Sequence, residues 1–455
     1  MSDVNRRALI DEMGRRYVAR LEAQLPDRPL TLEEIETCVE DVGREQDACL
    51  EDRLIQEQAP PPTNQTGCPK CAGVARYKLT TDRHVLTIHG SRLLRRRYYK
   101  CSGCGWGFAP LDYLLQVVER SATPRVRAWE AKLAGNEVFA AVPDTLLELR
   151  GLVVSESTVE RTTIEVGTAL RAAQQQEWAA MSAPSPSRAA ATADPEGPSP
   201  RRGPGVGRLY LGLDGVFCPL RDPWSQDGSQ GKLHCRYGEA KVAIVYQTHQ
   251  REGLDDGIRW CAYAATLQKV EGFTSEVVGL ARAHGCDRAQ ELIVLGDGAE
   301  WIWKLTGNHF PHAVQILDYW HMTQHLYAVA HAQFGTESEA AVHWVRDCQW
   351  YLERDMPAHV LNQIAAWEPA GTPERELQAR EYGFFANNQE RMRYGTYLGR
   401  GYHIGSGSIE SGCKRLVTRR MKESGMHWRE ETAEAMLAIR ARLHSTGSND
   451  LRAYA

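Results

Sequence analysis

The chain lacks any apolar run near the roughly 18 residues that a membrane-crossing helix needs, so no membrane partner is expected. It also lacks an excess of positive charge. Lys and Arg total 54 against 58 Asp and Glu, a net −4 at pH 7, so any surface for nucleic acid must be local. The first 25 residues show no signal-peptide core and carry Asp3, Arg6, Arg7, Asp11 and Glu12, which sets the expectation of a cytoplasmic, nucleoid-associated protein. No internal repeat is present. Of twelve cysteines, only Cys68/Cys71 and Cys101/Cys104 stand in pairs at ligand spacing. A disulfide scaffold is not expected, and the other eight are read as buried thiols.

What is present is the composition of a soluble globular chain, 42% hydrophobic and 25% charged over 455 residues, long enough for several domains. Residues 1–60 read as helical. Leu9, Met13, Tyr17 and Leu21 give one apolar face, and Thr31 with Glu34 forms a capping box before Ile35, Val39 and Val42. Residues 61–112 read as a small β segment, with runs at 74–79, 84–89 and 93–99 and a hairpin turn at Gly90-Ser91. Residues 113–180 return to helix. A break at Gly151 and a cap at Ser157 with Glu160 outline a helix-turn-helix, an outline shared by many helical hairpins. Residues 181–206 hold six prolines and read as a flexible linker. Beyond it the pattern is mixed α/β over 207–330, mostly helical over 331–400, and helical again over 401–445.

The cysteine pairs flank a β-rich stretch, and four thiolates in that arrangement suit tetrahedral zinc. Four sulfur ligands leave no open position, so the expected role of Zn²⁺ is structural. Between the pairs, Arg95, Arg96, Arg97, Tyr98, Tyr99 and Lys100 suit contact with DNA phosphates; the alternative is a solvated strand face.

Asp214 and Asp297 each close an apolar strand and precede a glycine. Carboxylates there project beyond the sheet, where open α/β folds bind ligands. Glu410, in Gly405-Ser-Gly-Ser-Ile-Glu410-Ser-Gly, sits in the first turn of a helix and can complete a triad. Three hard oxygen ligands suit Mg²⁺ or Mn²⁺ and phosphodiester chemistry. Asp318 ends another strand, with His321 one helical turn later. Lys414, Arg415, Arg419, Arg420 and Lys422 follow Glu410 at near-helical spacing, as a DNA path or as a solvated face shared with Glu423. Six tryptophans fall between 301 and 367. Most are expected to anchor a core, with room for one to stack on a base.

Taken together, Leu211-Gly-Leu-Asp214-Gly, Val294-Leu-Gly-Asp297-Gly-Ala-Glu-Trp301-Ile, Asp318-Tyr-Trp-His321 and Gly405-Ser-Gly-Ser-Ile-Glu410-Ser resemble bacterial insertion-sequence transposases of the ISKra type, within the Mutator-like group of DDE enzymes. The resemblance runs over nearly the full chain. It implies an RNase H-like mixed-sheet catalytic domain with a helical insertion, preceded by helical, zinc-ribbon-like and helix-turn-helix-like segments. It implies Asp214, Asp297 and Glu410 as the catalytic, Mg²⁺-holding acids, with Asp318 and His321 in support. The implied activity is binding of terminal inverted repeats, strand cleavage and strand transfer into target double-stranded DNA, by a homodimer or larger assembly. Two rivals stand beside it: an RNase H-like nuclease without strand transfer, and a non-catalytic DNA-binding regulator.

Overall fold

The computed structural model describes residues 3–182, 206–222, 235–251, 254–336, 338–447 and 450–455. Most of the proline-rich stretch read as a linker, 183–205, lies outside the described residues. The chain forms two compact units, Met1–Thr163 with Leu451–Ala455, and Ile164–Asp450. Among the described residues no helix is long and apolar enough to cross a membrane.

The first unit opens with helices α1 (Asp3–Gln24) and α2 (Leu32–Glu57). Thr31 and Glu34 form the expected capping box. On α2 only Val42 is buried, while Ile35 and Val39 remain exposed. A four-stranded antiparallel sheet follows: β1 (Gln65–Gly67), β2 (Val74–Thr87), β3 (Gly90–Cys101) and β4 (Gly107–Phe108). The three expected runs are two long strands. Polar residues 80–83 stay in the ladder because they pair with Leu94–Arg97 of β3. The hairpin turn lies at Ile88-His89, two residues before the expected place. Thr87 closes it, its Oγ1 accepting the His89 N–H at 3.1 Å, and Gly90 supplies φ +100°.

Helices α3 (Pro110–Leu114), α4 (Pro124–Ala134), α5 (Val142–Arg150) and the start of α6 (Glu156–Ser182) complete this unit. Val126, Ala134, Val142, Leu146, Leu152 and Val159 share one core. Gly151 ends α5 at φ +64°, its N–H bonding Leu147 O at 2.8 Å, the left-handed stop that glycine permits. The cap of α6 is Ser155, whose Oγ accepts the Thr158 N–H at 3.2 Å; Ser157 already lies inside the first turn.

The second unit is built on a mixed five-stranded sheet in the order β7-β6-β5-β8-β9. Its strands are β5 (Val206–Arg221), β6 (Cys235–Arg251), β7 (Leu254–Thr266), β8 (Ala289–Gly296) and β9 (Val314–Leu317). β5, β6 and β7 form an antiparallel meander, and β8 and β9 add in parallel beyond β5. Leu209, Tyr210, Leu211 and Leu213 are all fully buried, as a strand covered on both faces requires. The helices are α7 (Val270–Ala283), α8 (Glu300–His309), α9 (Tyr319–Phe334), α10 (Glu339–Leu352), α11 (Pro357–Ala366), α12 (Thr372–Asn388), α13 (Tyr394–Gly399), α14 (Gly407–Cys413) and α15 (Glu430–His444). A π-helical turn, Lys414–Thr418, extends α14.

α14 lies directly on the sheet because Gly212 lets it. A Cβ on Gly212 would come within 2.9 Å of Ile244 Cγ2 and 3.0 Å of Ile409 Cβ. Gly212→Ala should therefore wedge α14 from β5 and cost about 1–3 kcal/mol, the usual range for overpacking. Its denaturant midpoint should fall visibly; an unchanged midpoint would refute the packing argument.

Candidate functional site

The strand register sets three acids side by side. β5 and β8 last pair at Gly212–Leu295, and two residues further on each strand are Asp214 and Asp297. β8 and β9 last pair at Gly296–Leu317, and the next residues are Asp297 and Asp318. Asp297 and Asp318 thus follow the C-terminal ends of β8 and β9, the edge where open α/β sheets place ligands. Asp214, by contrast, does not close its strand as expected: β5 runs on to Arg221 because β6 continues to pair with it after β8 has ended.

Each carboxylate is held locally. Asp214 accepts the Gly215 N–H at 2.7 Å on Oδ1 and the Cys413 thiol at 3.4 Å on Oδ2. Burial, aided by the charge of Asp297, lifts the Asp214 carboxyl above the ordinary range, so the ionised form gains from any cation placed beside it. Asp297 accepts the Ala299 N–H at 2.9 Å. Asp318 is fully buried and joins three parts. Its Oδ1 caps α9 by accepting the His321 N–H at 2.7 Å and meets His321 Nδ1 at 2.9 Å. Its Oδ2 accepts the Ser406 N–H from the turn before α14. Ser406 Oγ in turn donates to Glu410 Oε1 at 2.5 Å.

With Nδ1 on Asp318, Nε2 is the ring atom of His321 left to meet a ligand. Asp318 first, then Asp297 and Asp214, raise the His321 pKa, favouring an imidazolium among the acids. Asp318, His321 and Glu410 each bring a ligand atom within 4.8 Å of the others. Asp214 and Asp297 border this group through His321 and through Cys413, which lies one turn after Glu410. The carboxylates suit a hard divalent cation, and the imidazolium beside them suits an anion such as a phosphate. The sequence reading did not single out Ser406 or Cys413; the only signals were a serine four residues before Glu410 and a cysteine three after it.

The four cysteines of the first unit also converge, each sulfur within 4.8 Å of the others. Cys68–Cys104 and Cys71–Cys101 sulfurs stand 3.7 and 3.5 Å apart. A disulfide needs about 2.05 Å, whereas zinc at ~2.3 Å from each sulfur needs roughly 3.8 Å between sulfurs. Backbone N–H groups of Cys104 and Gly103 bring the Cys101 thiol down to about 6, as a metal-binding thiolate requires. The donor set fits zinc.

The basic residues divide. Arg95 and Lys100 are exposed. Arg96, with Arg83, is tied to the buried Asp112, and Arg97 covers the Tyr77 ring at 3.9 Å while donating to Thr63 O at 3.1 Å. Lys414, Arg415, Arg419 and Lys422 are exposed, whereas Arg420 is buried over Trp428. Of the six tryptophans, Trp303 and Trp367 are buried anchors. Trp320 is 61% exposed and lies beside Gly405, in the turn before α14.

No family model matches this chain, and no curated protein sequence matches it. Among solved structures it is similar to the Drosophila P element transposase strand transfer complex, at TM-score 0.35 and 10% sequence identity over 72% of this chain and 93% of that chain. A likeness that low defines neither the fold nor the activity of this chain.

Proposed function

We propose that this chain is a metal-dependent DNA transposase whose second unit is an RNase H-like catalytic core. One observation carries the reading: Asp318, His321 and Glu410 come within ligand distance of one another, and the strand register puts Asp297 and Asp214 on the neighbouring strands. The resemblance of those same four motifs to ISKra-type transposases points the same way. Asp214, Asp297 and Glu410 are the residues to hold Mg²⁺ or Mn²⁺. When bound, the metal would supply Lewis acidity and a water or 3′-hydroxyl more easily deprotonated.

The chain's own groups do the rest. Asp318 fixes the imidazole of His321 so that Nε2 can orient a scissile phosphate. Ser406 sets the Glu410 carboxylate, and the Cys413 thiol sets that of Asp214. No Ser or Tyr nucleophile is needed, because water or a DNA hydroxyl attacks the phosphorus. Exposed Lys414, Arg415, Arg419 and Lys422 run on from Glu410 as a track for the strand backbone. In the first unit the zinc-held sheet offers Arg95 and Lys100 to phosphates. The three-helix segment is the candidate reader of the element ends, as part of a dimer or larger assembly that holds two ends together.

The test is purified protein with element-end DNA, target DNA and Mg²⁺. Cleavage at the end followed by joined products supports the transposase. Cleavage without joining moves the reading to a nuclease, and binding without cleavage to a regulator. A second measurement probes the strand track. Changing Lys414, Arg415, Arg419 and Lys422 to Gln should flatten the slope of log affinity against log salt by roughly 0.7–0.9 for each phosphate that is no longer neutralised. An unchanged slope removes that face from the DNA path.

A further inference from the structure

Beside Asp297 opens a cleft of about 500 Å³, lined by Gly298, Trp303, Lys304, Phe384, Asn387 and Arg391 among others. None of these residues belongs to the acidic site, yet the cleft adjoins it. Gly298 follows Asp297 at φ +106°, and a Cβ there would come within 2.6 Å of Phe384. The volume falls in the range of sites that enclose one small organic ligand.

Three features say what kind of ligand. The first is Arg391. Its guanidinium is half-buried and lies 4.5 Å from the centre of the Trp303 ring. It donates to Gln315 Oε1, Asn387 O and Asn388 Oδ1, all neutral acceptors. It has no carboxylate partner among the described residues, whereas Lys304 pairs with Glu300 at 2.7 Å. Arg391 is thus a cation with room for an anion. The second is Trp303, 8% exposed, whose Nε1–H is buried without an acceptor. The third is Phe384. His325 stacks on its ring at 3.6 Å and 15°. His325 is itself fixed by Glu381, 1% exposed, through a 2.5 Å contact at Nδ1. The aromatic wall is therefore held rigid before any ligand arrives. A rigid aromatic face and an uncompensated guanidinium backed by a buried indole suit a planar base carrying a phosphate.

We propose that this cleft binds one unpaired nucleotide of the DNA strand that reaches the acidic site, with its base on Phe384 and its phosphate on Arg391. The strand as the source rests on the transposase reading above; the nucleotide chemistry rests on the cleft alone. Because Gly298 joins Phe384 to Asp297, the bound nucleotide lies next to the phosphate presented to the acids. Duplex DNA keeps its bases stacked and cannot offer one to Phe384 without extrusion.

The test uses the full chain in magnesium-free buffer, so that no strand is cut. The probes are a short fluorescein-labelled oligothymidylate, the same strand paired with oligodeoxyadenylate, and free dTMP as competitor. Phe384→Leu keeps an apolar side chain against Gly298 and His325 but removes the π face. It should weaken single-strand binding roughly tenfold, and Arg391→Gln should do the same, with duplex binding unchanged. Arg391→Lys keeps the charge and should recover part of the loss; thermal melts of every variant guard against unfolding. Wild-type affinity in both Phe384→Leu and Arg391→Gln overturns the proposal. So does an equal loss on duplex, which would make the cleft a site for the DNA backbone. Competition by dTMP as strong as by the oligonucleotide overturns the strand as source. If the wild type neither cuts nor joins DNA while the Phe384→Leu loss persists, the cleft stands and the transposase reading falls.

Discussion

If the transposase reading holds, Asp297→Asn should leave a folded protein that no longer cuts DNA. The amide oxygen of Asn can still accept the N–H of Ala299, the bond that holds Asp297 in place at 2.9 Å. The turn therefore survives. What disappears is the negative charge proposed to hold a divalent cation beside Asp214. Loss of that charge should lower the cleavage rate by a thousandfold or more, about 4 kcal/mol of transition-state stabilisation. The melting temperature should move the opposite way. Burial and the neighbouring Asp297 charge already lift the Asp214 carboxyl above its ordinary range, so in magnesium-free buffer removing Asp297 relieves a like-charge repulsion. Initial rates on element-end DNA, with melts of both proteins, check the pair of effects. A variant that keeps a tenth or more of the rate would remove Asp297 from the metal-holding set.

Removing zinc should unmake the cysteine-knuckle end of the small sheet in the first unit. Its buried cluster is Cys68, Ala75, Tyr99, Cys101 and Phe108, so two of the residues in that core are thiol ligands. A core of that size cannot stabilise a segment without a cross-link. Structural zinc sites contribute about 10–16 kcal/mol in small domains. Cys101→Ser should lose the proposed zinc, unprotect the amides at the knuckle end of the sheet and weaken the proposed DNA contact of Lys100. Val85 and Leu94, which pack with Val117 in a separate buried cluster, should hold the far end of β2 and β3. Metal content by mass spectrometry, amide exchange over the segment and DNA affinity give three readouts. A zinc-free protein with protected amides at the knuckle end of β2 and β3 would show that the sheet stands without its metal.

The sequence was legible where chemistry concentrates in a few adjacent residues. The apolar runs before Asp297 and Asp318 are strands that stop there, the run before Asp214 is a strand that continues to Arg221, and the cysteine spacing foretold the sulfur cluster. The capping box at Thr31 was plain because both partners lie within one turn. Reading failed where a neighbour in space decides. Residues 80–83 look like a break until β3 supplies their pairs. Ser157 with Glu160 reads as the cap, yet the helix starts two residues earlier and Ser155 accepts the Thr158 N–H. Arg96 and Arg420 read as solvent-facing cations, yet Asp112 and Trp428 hold them inside. The His325–Glu381 pair and the packing of Arg391 on Trp303 and Gln315 had no sequence signal at all, since those partners stand far along the chain.

The long helical excursion in the second unit departs from the end of β9 and comes back to that same end, its returning limb also bonded to β9 through Arg391–Gln315, Tyr394–Leu317 and Tyr397–Gln315. The Tyr319 N–H bonds Ile404 O at 3.0 Å, and Asp318 accepts the N–H of Ser406. Both ends of the excursion are thus pinned by the residue that positions His321 and the Glu410 turn. A segment whose ends coincide imposes no span on its host, and doubling its length costs only about 0.6 kcal/mol in closure entropy. Its tip is free to lengthen, shorten or be exchanged for another module, such as a different DNA clamp or a docking arm, without moving the acids. Specificity for partners can therefore diverge at the far end of the excursion while the chemistry at its root stays fixed.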